Sequence, residues 1–145
     1  MDSTSRQSKT VAQNFINALD SRNFDVLPSL FTDTAGWWVM GQGGGYFKVI
    51  ERIPLCMQML GQFSQYSLKA FNIVAEGVQV MAELEETSTS QDGKVCTNSV
   101  VMAFTCRGKQ ILLLREYLDS QQLLNVMEES GSTAVTMESV DAIGL

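Results

Sequence analysis

A chain of 145 residues with 45% apolar content is long enough to form one domain, burying roughly 70% of the surface its unfolded form exposes. Its net charge of −6 at pH 7 and pI near 4.5 argue against recognition of a polyanion through a general electrostatic field. There is no histidine. That excludes Ser-His and Cys-His nucleophile pairs, histidine-based zinc sites and the facial-triad iron site, and leaves catalysis to carboxylates, tyrosines, lysines, arginines, thiols or oriented amides.

In chain order, residues 1–5 read as a loose polar start without the apolar run of a secretory signal. From Arg6 to Ser21, Val11, Phe15, Ile16 and Leu19 recur at helical spacing and predict an amphipathic helix. "SRNFDVLPSLF" predicts a turn and a second short helix, with Asn23 as its cap and Phe24, Leu27, Leu30 and Phe31 on one side. "AGWWVM" reads as a short strand of bulky residues. Lys48 to Leu60 returns to helical spacing at Ile50, Ile53, Met57 and Leu60, with Pro54 predicting a kink or a start near Arg52. From Ser67 onward, four segments rich in β-branched and apolar residues are separated by Glu-Gly, Asp-Gly and Arg-Gly turns. They predict an antiparallel meander, with Asp92-Gly93 its strongest hairpin signal. "DSQQLLNVM" reads as a closing helical turn, and residues 129–145 as a tail. Helices followed by a long meander predict an α+β layout with helices on one sheet face. Alternation fails in "NSVVMAF" and "QILLL", so both faces are expected to be covered, the outer one by a second subunit.

The apolar runs, such as Gln110 to Leu114, fall far short of a membrane span. Cys56, Cys96 and Cys106 are odd in number and widely spaced, which predicts buried free thiols in a reducing, cytoplasmic setting. The glycine cluster in "GWWVMGQGGGYF" is not a phosphate loop: Tyr46 and Phe47 intervene before Lys48, no Ser or Thr follows, and the remaining strands are antiparallel. It predicts a hairpin or loop that needs positive φ, a flap over a pocket walled by Trp37 or Trp38. Strand alternation allows only one of those indoles on a given side.

Glu83 and Glu85 share one face of their strand, while Val78, Val80, Ala82 and Leu84 line the other, which makes a solvated pair the simpler reading. Glu116 differs. It follows Ile111 to Leu114 and shares a face with Leu112, Leu114 and Leu118, where an ionised carboxylate is costly unless paired or wet. Burial there raises a carboxyl toward neutrality and suits a general acid or base; an ion pair with Arg107 or another base across the sheet is the structural alternative. Asn98 is a further polar residue among apolar ones, able to orient an oxygen.

With "FTDTAGWWVMG" after two helices, "DGKVCTNSVVMAF", and above all "LLLREYLDS", the chain resembles the SnoaL-like branch of the ketosteroid-isomerase and nuclear-transport-factor superfamily over about Lys9 to Met127. The resemblance implies a cone: a curved antiparallel sheet around N-terminal helices with a deep apolar pocket, often dimeric through the outer sheet face. It implies a single domain over 1–128 and cofactor-free chemistry of the kind run by polyketide cyclases, isomerases, limonene-epoxide hydrolases and fungal enzymes that rearrange meroterpenoids. The acid that epoxide hydrolases carry on the last strand corresponds to Glu116. Their Arg-x-Asp pair falls near Glu83 and Glu85, where the arginine is missing, and their water-holding Tyr and Asn fall near Trp37 and Val39.

The resulting expectation is a cofactor-independent cyclase or isomerase acting on an apolar polyketide or terpenoid intermediate. Glu116 would be its principal acid/base, with Asn98 and Glu83 or Glu85 assisting. Trp37, Trp38, Tyr46, Phe47, Met57 and Leu114 would bind substrate. Neither metal nor nucleic acid nor membrane is expected as a partner, and a homodimer is. An epoxide hydrolase or a non-catalytic binding or dimerisation module are the alternatives.

Overall fold

The computed structural model describes residues 1–41 and 44–119. The domain boundary expected at residue 128 and the closing turn expected after Asp119 lie outside them. Helix α1 spans Ser3–Asp20, two residues before the expected polar start ends. The cause is a cap: the Asp2 carboxylate accepts the Ser5 N–H at 2.7 Å, and the Ser5 hydroxyl in turn accepts the Gly77 N–H at 2.8 Å. The segment expected as a second helix is instead a 3₁₀ helix over Phe24–Leu30; Asn23 makes no side-chain cap and Pro28 sits inside it.

Strand β1 runs over Phe31–Val39 and turns through the glycine segment into β2, Gly45–Lys48. Gly41 at φ 107° and Gly45 at φ 121° supply the left-handed backbone this hairpin requires. Helix α2 spans Val49–Gly61 and carries Pro54 inside it rather than beginning near Arg52. Its buried residues are Val49, Arg52, Ile53, Leu55, Cys56, Met59 and Leu60, while Ile50 is 80% exposed. The apolar face expected through Ile50 and Met57 is therefore rotated by one residue, and this rotation brings Arg52 inside.

The meander follows as β3 (Gln65–Glu76), β4 (Gln79–Thr89), β5 (Val95–Arg107) and β6 (Gln110–Leu118). The six strands form one sheet in the order β2-β1-β6-β5-β4-β3. All neighbours are antiparallel except β1 and β6, which run parallel. Gly93, at φ 87°, lies in the turn between β4 and β5, where the Asp-Gly pair placed it. In β6 a register shift against β5 leaves Leu112 half-buried, so Ile111 rather than Leu112 joins Leu114 in the core. The helices pack on the inner face. Phe15 of α1 meets Phe31, Trp37 and Phe104 edge-on, with centroids 5.4–5.8 Å apart. No described helix is long and apolar enough to cross a membrane, and Cys56, Cys96 and Cys106 are buried thiols outside any disulfide.

Candidate active site

Three inward-facing polar side chains from different elements meet in one cavity. Its volume is about 60 Å³, room for on the order of four waters, and its walls include Leu19, Val39, Met59, Phe63 and Met102. Glu116 enters from the middle of β6, opposite Val39 on β1 and Met102 on β5. Glu86 enters from β4 and Arg52 from α2.

Glu116 is buried and accepts the Trp37 indole N–H at 2.6 Å, a charge-assisted distance that fixes its Oε1. Burial pushes its carboxyl above the ordinary carboxylate range, while nearby Arg52 and the indole N–H pull it back. Arg107 is exposed at the end of β5 and is not its partner. Glu86 accepts the Tyr66 hydroxyl at 2.6 Å. Burial, opposed by that hydrogen bond and reinforced by the charge of Glu116, raises the Glu86 carboxyl to about 7. Burial, with the Glu86 charge second, pushes the Tyr66 hydroxyl well up, so it remains a neutral donor. The Cys56 thiol, raised to about 12 chiefly by burial, remains protonated and inert.

These shifts are unequal in cause. Glu116 has a cation and an indole donor favouring its charged form; Glu86 has only a phenol and faces another carboxylate. When the pair holds a single proton, these causes favour the carboxylate on Glu116 and the carboxylic acid on Glu86. A protonated Glu86 can carry its hydrogen on Oε1 while Oε2 accepts from Tyr66. One base and one acid in a mostly apolar cavity are the ingredients of a proton shuttle.

The other expected site residues fall elsewhere. Glu83 and Glu85 are exposed on the outer face, and Glu83 accepts from Asn72 at 2.9 Å. Asn98 faces inward across from Glu86 but does not line the cavity; its amide donates to the Asp119 carbonyl at 3.2 Å and holds the end of β6. Trp37 lines the cavity, whereas Trp38 lies on the opposite face against Tyr117, centroids 5.1 Å apart. Tyr46 is on that outer face too, half-exposed over Gly36, because alternation in β2 turns its neighbour Phe47 inward. Phe47 and Leu114 are fully buried core residues outside the cavity lining. Met57 is 41% exposed, and Met59 takes the wall position on α2.

Sequence reasoning missed Glu86, Tyr66 and Arg52. The signal for Glu86 was present: Val80, Ala82 and Leu84 alternate inward, and the next member of that series is residue 86. The signal for Arg52 was the alternative helical stripe through Val49, Ile53, Cys56 and Leu60. Nothing in the local pattern of "QYSLKAF" marks Tyr66. Among the described residues no group of three or more His, Cys, Asp or Glu side chains is placed to hold a metal ion.

No protein-family model matches the sequence, and no curated protein matches it. Solved structures do. PrhC from Penicillium brasilianum NBRC 6234 superposes with a TM-score of 0.81 at 10% identity, covering 97% of this chain and 98% of that one. A SnoaL-like polyketide cyclase from Jannaschia sp. CCS1 gives 0.72 at 16% identity, over 92% and 96% of the two chains. An LEH-like epoxide hydrolase from M. tuberculosis gives 0.71 at 19% identity, over 87% and 92%. The chain therefore has the α+β fold shared by the SnoaL-like, NTF2-like and ketosteroid-isomerase-like proteins, the superfamily its sequence resembles.

Proposed function

We propose that this protein is a cofactor-independent isomerase or cyclase that moves a proton on a small apolar intermediate, of polyketide or terpenoid type. The single observation that carries this reading is the unequal pair Glu116 and Glu86 in one cavity. Glu116 acts as base, held by Trp37, and Glu86 as acid, held by Tyr66. Positioned proton transfer of this kind contributes about 10²–10⁴-fold, and holding a flexible substrate in reactive shape contributes further. The fold is compatible with such chemistry, since structures sharing it include one described as a SnoaL-like polyketide cyclase and one described as an LEH-like epoxide hydrolase.

Solvent-deuterium exchange tests the reading without a known substrate. Cyclohexanone, a small apolar ketone with slowly exchanging α-hydrogens, is incubated in D₂O with wild type, Glu116→Gln and Glu86→Gln and followed by NMR. Exchange catalysed by wild type and reduced at least tenfold in Glu116→Gln is expected. Equal exchange by the two, with the fold intact, makes the protein a binding module instead. The hydrolase alternative is read with limonene oxide in ¹⁸O-labelled water: incorporation of label at catalytic rates replaces the cyclase assignment.

The outer face, with Trp38 packed on Tyr117 and Met81 48% exposed, is proposed to pair two copies of the chain. Met81→Asp is then expected to shift sedimentation from dimer toward monomer. A wild type that sediments as monomer rejects the pairing.

A further inference from the structure

Helix α1 ends in a turn that glycine commonly closes, and here an arginine closes it. The Arg22 N–H donates to the Leu19 carbonyl at 3.0 Å, and the Asn23 N–H donates to the Ala18 carbonyl at 2.8 Å. These are the paired bonds of a Schellman cap, which requires left-handed backbone at the residue after the helix cap. Arg22 supplies it at φ 52°, the one non-glycine residue with positive φ among those described. Glycine adopts that region freely and arginine rarely, so an arginine held there points to a use for its side chain.

The use lies on the other helix. Arg22 Nη1 donates to the Phe63 carbonyl at 2.7 Å and to the Leu60 carbonyl at 3.1 Å. Leu60 is in the last turn of α2 and Phe63 just beyond its end. The final carbonyls of a helix have no partner within it, and the negative end of its dipole favours a cation there. Arg22 forms no ion pair among the described residues, so its charge serves these two oxygens.

Leu19, Leu60 and Phe63 all line the cavity that holds Glu86 and Glu116. Leu19 is in the last turn of α1, and Leu60 and Phe63 are the residues whose carbonyls the guanidinium binds. One side chain thus ties together two helix ends that wall the cavity, across 38 and 41 residues of chain. Arg22 is not itself part of the lining. With only about 60 Å³ between the walls, a small separation of the two ends changes what fits.

We infer that Arg22 is a positioning residue: it locks the end of α2 to the end of α1 and so limits the size of molecule the cavity admits. Its bearing on turnover rests on the acid/base reading of Glu116 and Glu86; its bearing on the cavity does not. Without the guanidinium, both helices keep their core packing, but the Leu60–Phe63 wall is released to move away from Leu19.

Trp37 lines the cavity and Trp38 does not, so Trp38→Phe leaves a single indole, in the cavity wall. In that background, fluorescence quenching by acrylamide and by the bulkier succinimide is compared with and without Arg22→Gly and Arg22→Lys, with a melting curve for each. Arg22→Gly suits the left-handed backbone and removes only the side chain. It is expected to raise quenching by succinimide about fivefold and quenching by acrylamide less, with Arg22→Lys, which keeps a donor, in between. Unchanged quenching by both probes in folded Arg22→Gly overturns the inference, whatever the melting temperature does, because Arg22 is then a stabilising clamp alone. An equal rise for both probes overturns it too, as general loosening without a size limit. If Arg22→Gly does not fold, Arg22→Lys is judged against the parent by the same criteria. For turnover, the ratio of deuterium exchange in 4-tert-butylcyclohexanone to that in cyclohexanone is expected to rise in Arg22→Gly, and an unchanged ratio overturns the limit on substrate size. Failure of the acid/base reading looks different: cyclohexanone exchange is then equal in wild type and Glu116→Gln, while quenching still decides the role of Arg22.

Discussion

Glu85 and Glu86 are neighbours on β4 and have opposite fates. Glu85 is exposed on the outer face beside Glu83, with Ser99 opposite it on β5. Glu86 lies on the inner face, hydrogen-bonded to Tyr66 and coupled to Glu116. One step along a strand changes the solvent, and the solvent changes the chemistry. Water surrounds the exposed Glu83 and Glu85 and solvates their charge. The largely apolar walls around Glu86 and Glu116 make each charge expensive, and it is that expense which brings their protons into play.

The contrast is broken most severely at Glu116. Glu116→Gln keeps the shape but removes the base, and catalysed deuterium exchange is expected to fall by about 10²–10⁴-fold. The same change at Glu83 or Glu85 is expected to leave exchange within twofold, and a large loss there would erase the distinction between faces.

Glu86 sharpens the comparison through stability. Its carboxyl titrates at about 7 in the folded chain against an ordinary 4.5. Between those values the folded chain keeps a proton that the unfolded chain has released, so this contribution is full below about pH 4.5 and is lost as pH rises through about 7. Glu86→Gln removes the loss. Chemical denaturation is expected to find the variant more stable than wild type by on the order of 2–3 kcal/mol at pH 8, with the gap closing near pH 4. A gap independent of pH would show that Glu86 is solvated after all. Glu116 contributes in the same direction, since burial raises its carboxyl as well.

Trp37→Phe gives a smaller effect. It removes the N–H that Glu116 accepts at 2.6 Å, and a buried hydrogen bond to a charged group is worth about 1.5–3 kcal/mol. Unfolding free energy is expected to drop by about that amount above neutral pH, and the lower limb of the exchange–pH profile to move upward as Glu116 becomes harder to ionise. Smallest of all, Glu83→Gln and Glu85→Gln are expected to change stability by less than about 0.5 kcal/mol, as exposed surface substitutions do.

The strands and their turns were legible because each rests on local chemistry: β-branched runs, an Asp-Gly pair, glycines at positive φ. Glu116 was legible for the same reason, as a charge set among leucines in a strand. Its place inside the sheet survived even though the register shift near Leu112 exchanged one core neighbour for another. What failed was phase. The apolar residues of α2 fit two stripes one residue apart, and Ile50 and Met57 favoured the wrong one. Tyr46 and Met57 were expected at the pocket for their bulk, yet they face away.

By itself the sequence determined that any chemistry of these residues must dispense with histidine, that the chain builds helices before a meander, and that one carboxylate lies in an apolar strand. Only the tertiary structure decided which partners that carboxylate has. Trp37, Glu86, Tyr66 and Arg52 are separated from Glu116 by tens of residues and brought to one cavity by the β1–β6 pairing, the β6-β5-β4-β3 order of the sheet and the packing of α2 on its inner face. Periodicity records which side of its own element a residue occupies. It carries no information about which other elements share that side, and the shared side is where Glu86 and Glu116 meet.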